Sequence, residues 1–204
     1  MTRLLSSEEK KELLTRCPSL KESRDPLSHK GTHGSVGIIG GSKGMTGAII
    51  LSAMAALKTG AGRVYLGFNQ PKSPLAYIST MPELMMNSAS SLLCQENRVL
   101  QTINSWLLGP GLGLDSNASI LLNKIGKEKA PLLLDADALT LLANNSDSIN
   151  PTRSTLITPH LGEASRLLKE KIQTIEENRE AAACELSHRY KAITILKGPH
   201  TLVA

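Results

Sequence analysis

Along the chain, short apolar runs bounded by glycine, proline and polar clusters alternate with longer stretches in which apolar residues return at helical spacing. The runs at 36–39, 63–68, 83–86, 103–108, 131–135, 155–158 and 192–196 read as strands, and 201–204 as one more beginning. Between them the pattern predicts helices over 48–58, 91–101, 116–125 and 137–142. A further helix follows 159–163, with Leu161, Ala164, Leu167 and Leu168 on its buried face. Ser6 or Ser7 caps a short first helix to about Leu14, and 71–79 reads as a short helix. Thr174 and Glu177 have capping-box spacing and open a helix reaching Tyr190. Strands alternating with helices in this way predict an α/β fold, with a mostly parallel central sheet and helices on both faces.

In such folds ligands bind at the carboxyl ends of the strands, so the loops at those ends carry the candidate chemistry. The first is the glycine-rich turn 40–47, between the strand at 36–39 and a helix rich in Ala, Met and Leu. Gly40, Gly41, Gly44 and Gly47 let the backbone approach a ligand, and Thr46 is the expected N-cap of the helix. A helix start of this kind suits a phosphate or an amide-bearing ligand, although a tight turn without a ligand has the same composition. The spacing is neither that of a P-loop, since Lys43 is followed by Gly44 and Met45, nor the G-x-G-x-x-G of a dinucleotide fold. A second glycine-rich turn, 109–113, closes the strand at 103–108 in the same manner, with Asp115 or Ser116 capping the next helix. Asp135 ends another strand and is read as facing the site, with Asp137 as a helix cap; His160 and Lys197 complete the rim. His29 and His33, just before the first strand, are read as surface residues.

Composition narrows the function only a little. The 204 residues suffice for one domain with a substantial core, built from Leu, Ile, Val, Ala and Met because there is one Trp and one Phe. Residues 1–28 are read as a lead-in and 29–204 as the domain. The net charge of +5 is spread without basic runs, which argues against nucleic acid while favouring an anionic nucleotide or a phosphorylated substrate. Cys17, Cys94 and Cys184 fit no metal or disulfide spacing, and no stretch is long and apolar enough to span a membrane. A cytoplasmic protein with free thiols is the expectation.

The stretches HKGTHGSVGIIGGSKGMTGA, LLGPGLG, LLLDADAL, TPHLGEASRLL and ILKGPHT, in this order from His29 onward, resemble the NAD(P)H-hydrate dehydratases of the ribokinase-like superfamily. The resemblance implies a ribokinase-like fold and a repair reaction. NADH or NADPH hydrated on its nicotinamide ring (NADHX, NADPHX) is dehydrated back to the cofactor at the expense of ADP or ATP. It further implies that Ala48, Gly113 and His160 contact the hydrated dinucleotide. Lys197, Gly198, Pro199, His200 and Thr201 would hold the adenine nucleotide, and Glu163 would lie near its phosphates, acting with Mg²⁺. Family members continue to a Gly-Thr-Gly-Asp motif that supplies an anion hole and a catalytic base. These 204 residues do not contain it, so the domain is expected to be incomplete at its C-terminal side and no catalytic residue is assigned within it. A vitamin-precursor kinase of the same superfamily, and a nucleotide-binding fragment without activity, are the alternatives. The apolar edge at 201–204 implies low solubility or pairing with another chain, as in a homo-oligomer.

Overall fold

The computed structural model describes residues 6–16, 25–94, 96, 98–145, 148–150 and 152–204. Its strands are β1 (Ser35–Gly40), β2 (Arg63–Phe68), β3 (Met85–Ser88), β4 (Ser105–Leu108), β5 (Leu132–Leu134), β6 (Thr155–Ile157), β7 (Ile193–Leu196) and β8 (Leu202–Val203). They form one sheet in the order β3-β2-β1-β4-β5-β6-β7-β8. Every pairing is parallel except that of β7 with β8. The helices are α1 (Ser7–Arg16), α2 (Thr46–Lys58), α3 (Ala89–Leu92), α4 (Ser116–Gly126), α5 (Asp137–Asn144), α6 (Leu161–Leu168), α7 (Ile172–Glu177) and α8 (Arg179–Tyr190). The expected α/β sheet is present.

The order of strands fixes where the helices go. From β1 the chain steps outward to β2 and β3, then returns to β4 on the other side of β1 and steps away through β7. Right-handed crossovers therefore put α2 on one face and the helices after β4 on the opposite one. On the first face Val64, Leu66 and Phe68 of β2 and Ile38 of β1 pack with Ile49 and Ala53 of α2. On the second, Trp106, Leu108, Leu134, Ile157 and Leu196 pack against α4, α5, α6 and α8. Beyond β1 the α2 face is thinly covered. There Leu107, Leu133, Leu156 and Ile193 line an apolar groove of about 390 Å³, and Ile193 is 49% exposed.

Arg153 shows how the second layer is tied down. It is buried, and its guanidinium donates to the carbonyls of Ile125 and Ala130, where α4 leads into β5. Burial lowers its pKa to about 10, against the opposing pull of Glu128.

Several local expectations are corrected. Residues 71–79 form no helix: Pro74 lacks an N–H and disfavours helical backbone at Ser73, whose hydroxyl donates instead to the Leu75 carbonyl at 2.6 Å. The third strand lies at Met85–Ser88 rather than 83–86. The helix drawn over 91–101 is instead the short α3, begun by the Ser88 hydroxyl accepting from the Ser91 N–H. The Lys124 ammonium donates to the Leu93 carbonyl just past its end. The long helix to Tyr190 is broken at Asn178, which caps α8 by accepting from the Ala181 N–H, and Thr174 lies inside α7. Of the 1–28 lead-in, residues 1–5 and 17–24, including Cys17, lie outside the described residues. Cys94 and Cys184 are free and exposed. Among the described residues, no helix is long and apolar enough to cross a membrane.

Candidate functional site

Strand order reverses between β1 and β4, the position at which a crevice opens above the carboxyl ends of a parallel sheet. Both glycine turns occupy it and interlock. The Gly41 N–H donates to the Pro110 carbonyl at 3.0 Å and the Ser42 N–H to that of Gly111 at 2.7 Å. A Cβ on Gly40 would lie 2.2 Å from the Pro110 oxygen, so the contact requires glycine there. Gly111 packs against Met45 and Ala48 at the start of α2, and Gly113 against Ser42. Two of the expected substrate residues, Ala48 and Gly113, are thereby brought to one crevice.

The expected N-cap moves by one residue. Met45 occupies that position without a side-chain cap bond, and Thr46 is the first residue of α2. The start of α2 is thus left without a side-chain cap at the mouth of the crevice.

A second cluster continues the rim over β5, β6 and β7. The Lys197 ammonium, at the end of β7, lies 2.7 Å from Asp135 Oδ1 and 3.8 Å from Glu163 Oε2. Glu163 is buried in the first turn of α6, with its side chain 7% exposed. Its Oε2 accepts from the His160 N–H at 2.8 Å, while His160 Nδ1 accepts from the N–H groups of Gly162 and Glu163. His160 is therefore the N-cap of α6 in a reciprocal capping box, an unusual use of an imidazole. Its other nitrogen, Nε2, is 3.3 Å from Glu163 Oε1, and the ring is 54% exposed. Asp135 faces this cluster, as expected. Asp137 does not cap α5, where Ala136 holds that position at φ +52°; its Oδ2 accepts instead from the Gly113 N–H at 2.8 Å. That bond joins the crevice to the charged cluster.

The segment of Lys197, Gly198, Pro199, His200 and Thr201 is the turn between β7 and the antiparallel β8, with residues 198–201 exposed. A Cβ on Gly198 would meet the Arg179 guanidinium at 2.5 Å. His29 and His33 make local bonds outside the rim: His29 Nδ1 accepts from the Gly31 N–H, and His33 Nε2 lies 2.9 Å from the Ser28 hydroxyl. Sequence reading passed over Asn69 and Gln70, which leave the end of β2 and bond both glycine turns. Their signal was their place, a polar pair directly after an apolar strand that ends on the rim.

Residues 36–204 match the family model of the NAD(P)H-hydrate dehydratases. The chain belongs to that family. The ADP-dependent (S)-NAD(P)H-hydrate dehydratase of Neisseria meningitidis is 39% identical, over 98% of this chain and 69% of its own length. The bifunctional NAD(P)H-hydrate repair enzyme of Escherichia coli is 41% identical over 89% of this chain and 34% of its own. Among solved structures, the ADP/ATP-dependent NAD(P)H-hydrate dehydratase of Bacillus subtilis, co-crystallised with ATP and Mg²⁺, superposes with a TM-score of 0.75 at 26% identity. That match covers 89% of this chain and 64% of the other. A ribokinase-like superfamily protein of Enterococcus faecalis matches with a TM-score of 0.73 at 27% identity, over 89% of this chain and 63% of that one. The fold is thus ribokinase-like, and the chain spans about two thirds or less of the relatives it matches.

Proposed function

We propose that this chain carries the ligand-binding part of an ADP- or ATP-dependent NAD(P)H-hydrate dehydratase, acting on NADHX or NADPHX. The observation that carries the reading is the continuous rim, on which two interlocked glycine turns at the sheet's reversal point run through Asp137 into the Lys197, Asp135 and Glu163 cluster. The hydrated dinucleotide lies in the crevice with Ala48 and Gly113 beneath it, and with the exposed ring of His160 beside it. Backbone N–H groups of the turns and of the α2 start meet its anionic and amide groups. The adenine nucleotide lies on the turn from Lys197 through Gly198, Pro199 and His200 to Thr201. Lys197 is held between two carboxylates and can exchange one of them for a phosphate oxygen.

In the reaction that this reading assigns, the ring hydroxyl gives up its proton and takes the terminal phosphoryl group of ADP or ATP, releasing AMP or ADP. The C–O bond then breaks to expel phosphate while the adjacent ring carbon loses a proton and the ring double bond re-forms. Phosphoryl transfer depends on positioning and charge stabilisation; the crevice and Lys197 position the two reactants, while the anion hole and base that the family draws from its Gly-Thr-Gly-Asp motif are not among these 204 residues. Mg²⁺ bound with a nucleotide takes most of its ligands from phosphate and water, with one or two carboxylates from the protein. Glu163 and Asp135 are the carboxylates in contact with Lys197, and among the described residues no group of three or more His, Cys, Asp or Glu is assembled to hold an ion without a nucleotide. A cytoplasmic location and self-association belong to the same reading, supported by the free thiols and the exposed β8 edge.

The test is incubation of the chain with NADPHX and ADP or ATP, following recovery of NADPH. Recovery well above the rate without protein supports the proposal. No recovery, with ADP still raising the melting temperature, makes the chain a nucleotide-binding fragment without activity. The kinase alternative is weaker, because the curated relatives are named as hydrate dehydratases or repair enzymes.

A further inference from the structure

The crevice depends on two turns from different strands keeping a fixed separation, and the residues that set it come from a third strand. Asn69 and Gln70 leave the end of β2 side by side. The Asn69 N–H donates to the Gly40 carbonyl at 2.7 Å. Its side chain reaches the other turn: Nδ2 donates to the Leu112 carbonyl at 2.7 Å and lies 3.4 Å from Asp115 Oδ1, the carboxylate that caps α4. Its Oδ1 accepts from Asn117 Nδ2 at 2.5 Å. Asn69 itself is 7% exposed, so its amide is shielded from water although Asp115 and Asn117 are exposed. Gln70 acts in the opposite direction, with Nε2 donating to the Gly41 carbonyl at 2.8 Å and lying 3.3 Å from the Thr46 hydroxyl at the start of α2.

We infer that Asn69 and Gln70 are positioning residues, a polar clip that fixes the distance and tilt between the two glycine turns for the dinucleotide. The inference rests on the reading of that crevice as the dinucleotide site. The bonds to the turns end on the carbonyl oxygens of Leu112 and Gly41, and so leave the Gly113 N–H to donate to Asp137. The turns meet directly through two backbone bonds, from Gly41 and Ser42, and the side chains of Asn69 and Gln70 add a hold on each turn from the neighbouring strand. An amide side chain suits the task because it donates to one element while accepting from another, as Asn69 does between Leu112 and Asn117. Neither residue is catalytic.

Gln70→Ala and Asn69→Asp test the clip with two readouts. Gln70 is only partly buried, so Gln70→Ala keeps its melting temperature close to that of the parent. Asn69→Asp keeps the acceptor for Asn117 but sets a carboxylate against the Leu112 carbonyl and Asp115. Without any ligand, amide hydrogen exchange at Gly41 and Ser42 accelerates about three- to tenfold in Gln70→Ala, the factor expected for one net hydrogen bond. Exchange at the Lys197 amide, which donates to the Pro159 carbonyl, stays unchanged. Unchanged exchange at Gly41 and Ser42 overturns the inference. With ligands, both variants bind NADPHX about tenfold more weakly and ADP as the parent does. Equal loss for both ligands would make the pair a general stabiliser and overturn the positioning role. If the parent chain itself fails to bind NADPHX, the proposed site is wrong, and the exchange readout still decides whether the clip exists.

Discussion

Replacing Gly109 by alanine tests whether the crevice and the charged cluster are one rigid unit. Gly109 has φ +129°, a region that residues with a Cβ rarely adopt, which costs about 1–3 kcal/mol. A Cβ there would also lie 1.8 Å from the Asp135 carbonyl oxygen and 2.9 Å from the Ala138 Cβ, both fixed by β5 and α5. Displacing packed backbone of this kind costs about 1–3 kcal/mol more. A loss of about 2–6 kcal/mol is expected, a large part of the ~5–15 kcal/mol that holds a typical domain folded. Two other glycines give the scale. Gly44 has φ +85° with nothing within 4 Å, so Gly44→Ala pays backbone strain alone, about 1–2 kcal/mol. Gly47 has open space and no positive φ, and Gly47→Ala in the first turn of α2 gains about 0.5–1 kcal/mol. Urea unfolding of the three variants, compared by midpoint at constant slope, measures the series. Because Asp135 must shift, Gly109→Ala also loosens its 2.7 Å pairing with Lys197 and weakens ADP binding. If Gly109→Ala is no worse than Gly44→Ala, or leaves ADP binding intact, the close-packed junction between the two halves of the rim is wrong.

Lys197→Ala should abolish the rise in melting temperature with ADP while leaving NADPHX binding in place, and calorimetry with each ligand reads the difference. His160→Ala removes a helix cap as well as an exposed ring, so it should cost about 1 kcal/mol in urea unfolding and weaken NADPHX binding. His160→Asn, which keeps a capping side chain, should restore the stability alone. Arg153→Met removes the donor to the half-buried Ala130 carbonyl and one of the donors to that of Ile125, which keeps the Glu128 N–H, and should cost about 1–3 kcal/mol by the same measurement. On the groove of the α2 face, Leu133→Lys with Leu156→Glu should reduce binding of a hydrophobic dye and raise solubility, with little change in the urea midpoint.

The strands and the rim were legible because each parallel strand is an apolar run ending in a loop with marked composition, as at Gly40 and Gly109. Local geometry was less legible where one side chain decides the outcome. Asn178 breaks what periodicity reads as a single helix, and Pro74 removes another. The pairing of Asp135 with Lys197 joins residues 62 apart, and nothing local to either announces it. Asp137 had the right position for a cap, but the turn at Gly113 comes close enough to take its carboxylate instead. Asn69 and Gln70 were missed because glycine turns draw attention to themselves and away from the strand between them.

The pairing of β1 with β4 also sets an order of events in folding. The Ser35 N–H donates to the Asn104 side chain across 69 residues of sequence, and the crevice exists only once that distant contact has closed. Such pairings carry a large loop-closure cost and form slowly, whereas the adjacent β7 and β8 meet through a short turn. The turn at 197–201 is therefore a product of local sequence. The crevice between the turns at Gly40 and Gly109 is a product of topology, complete only when strands far apart in the chain have met.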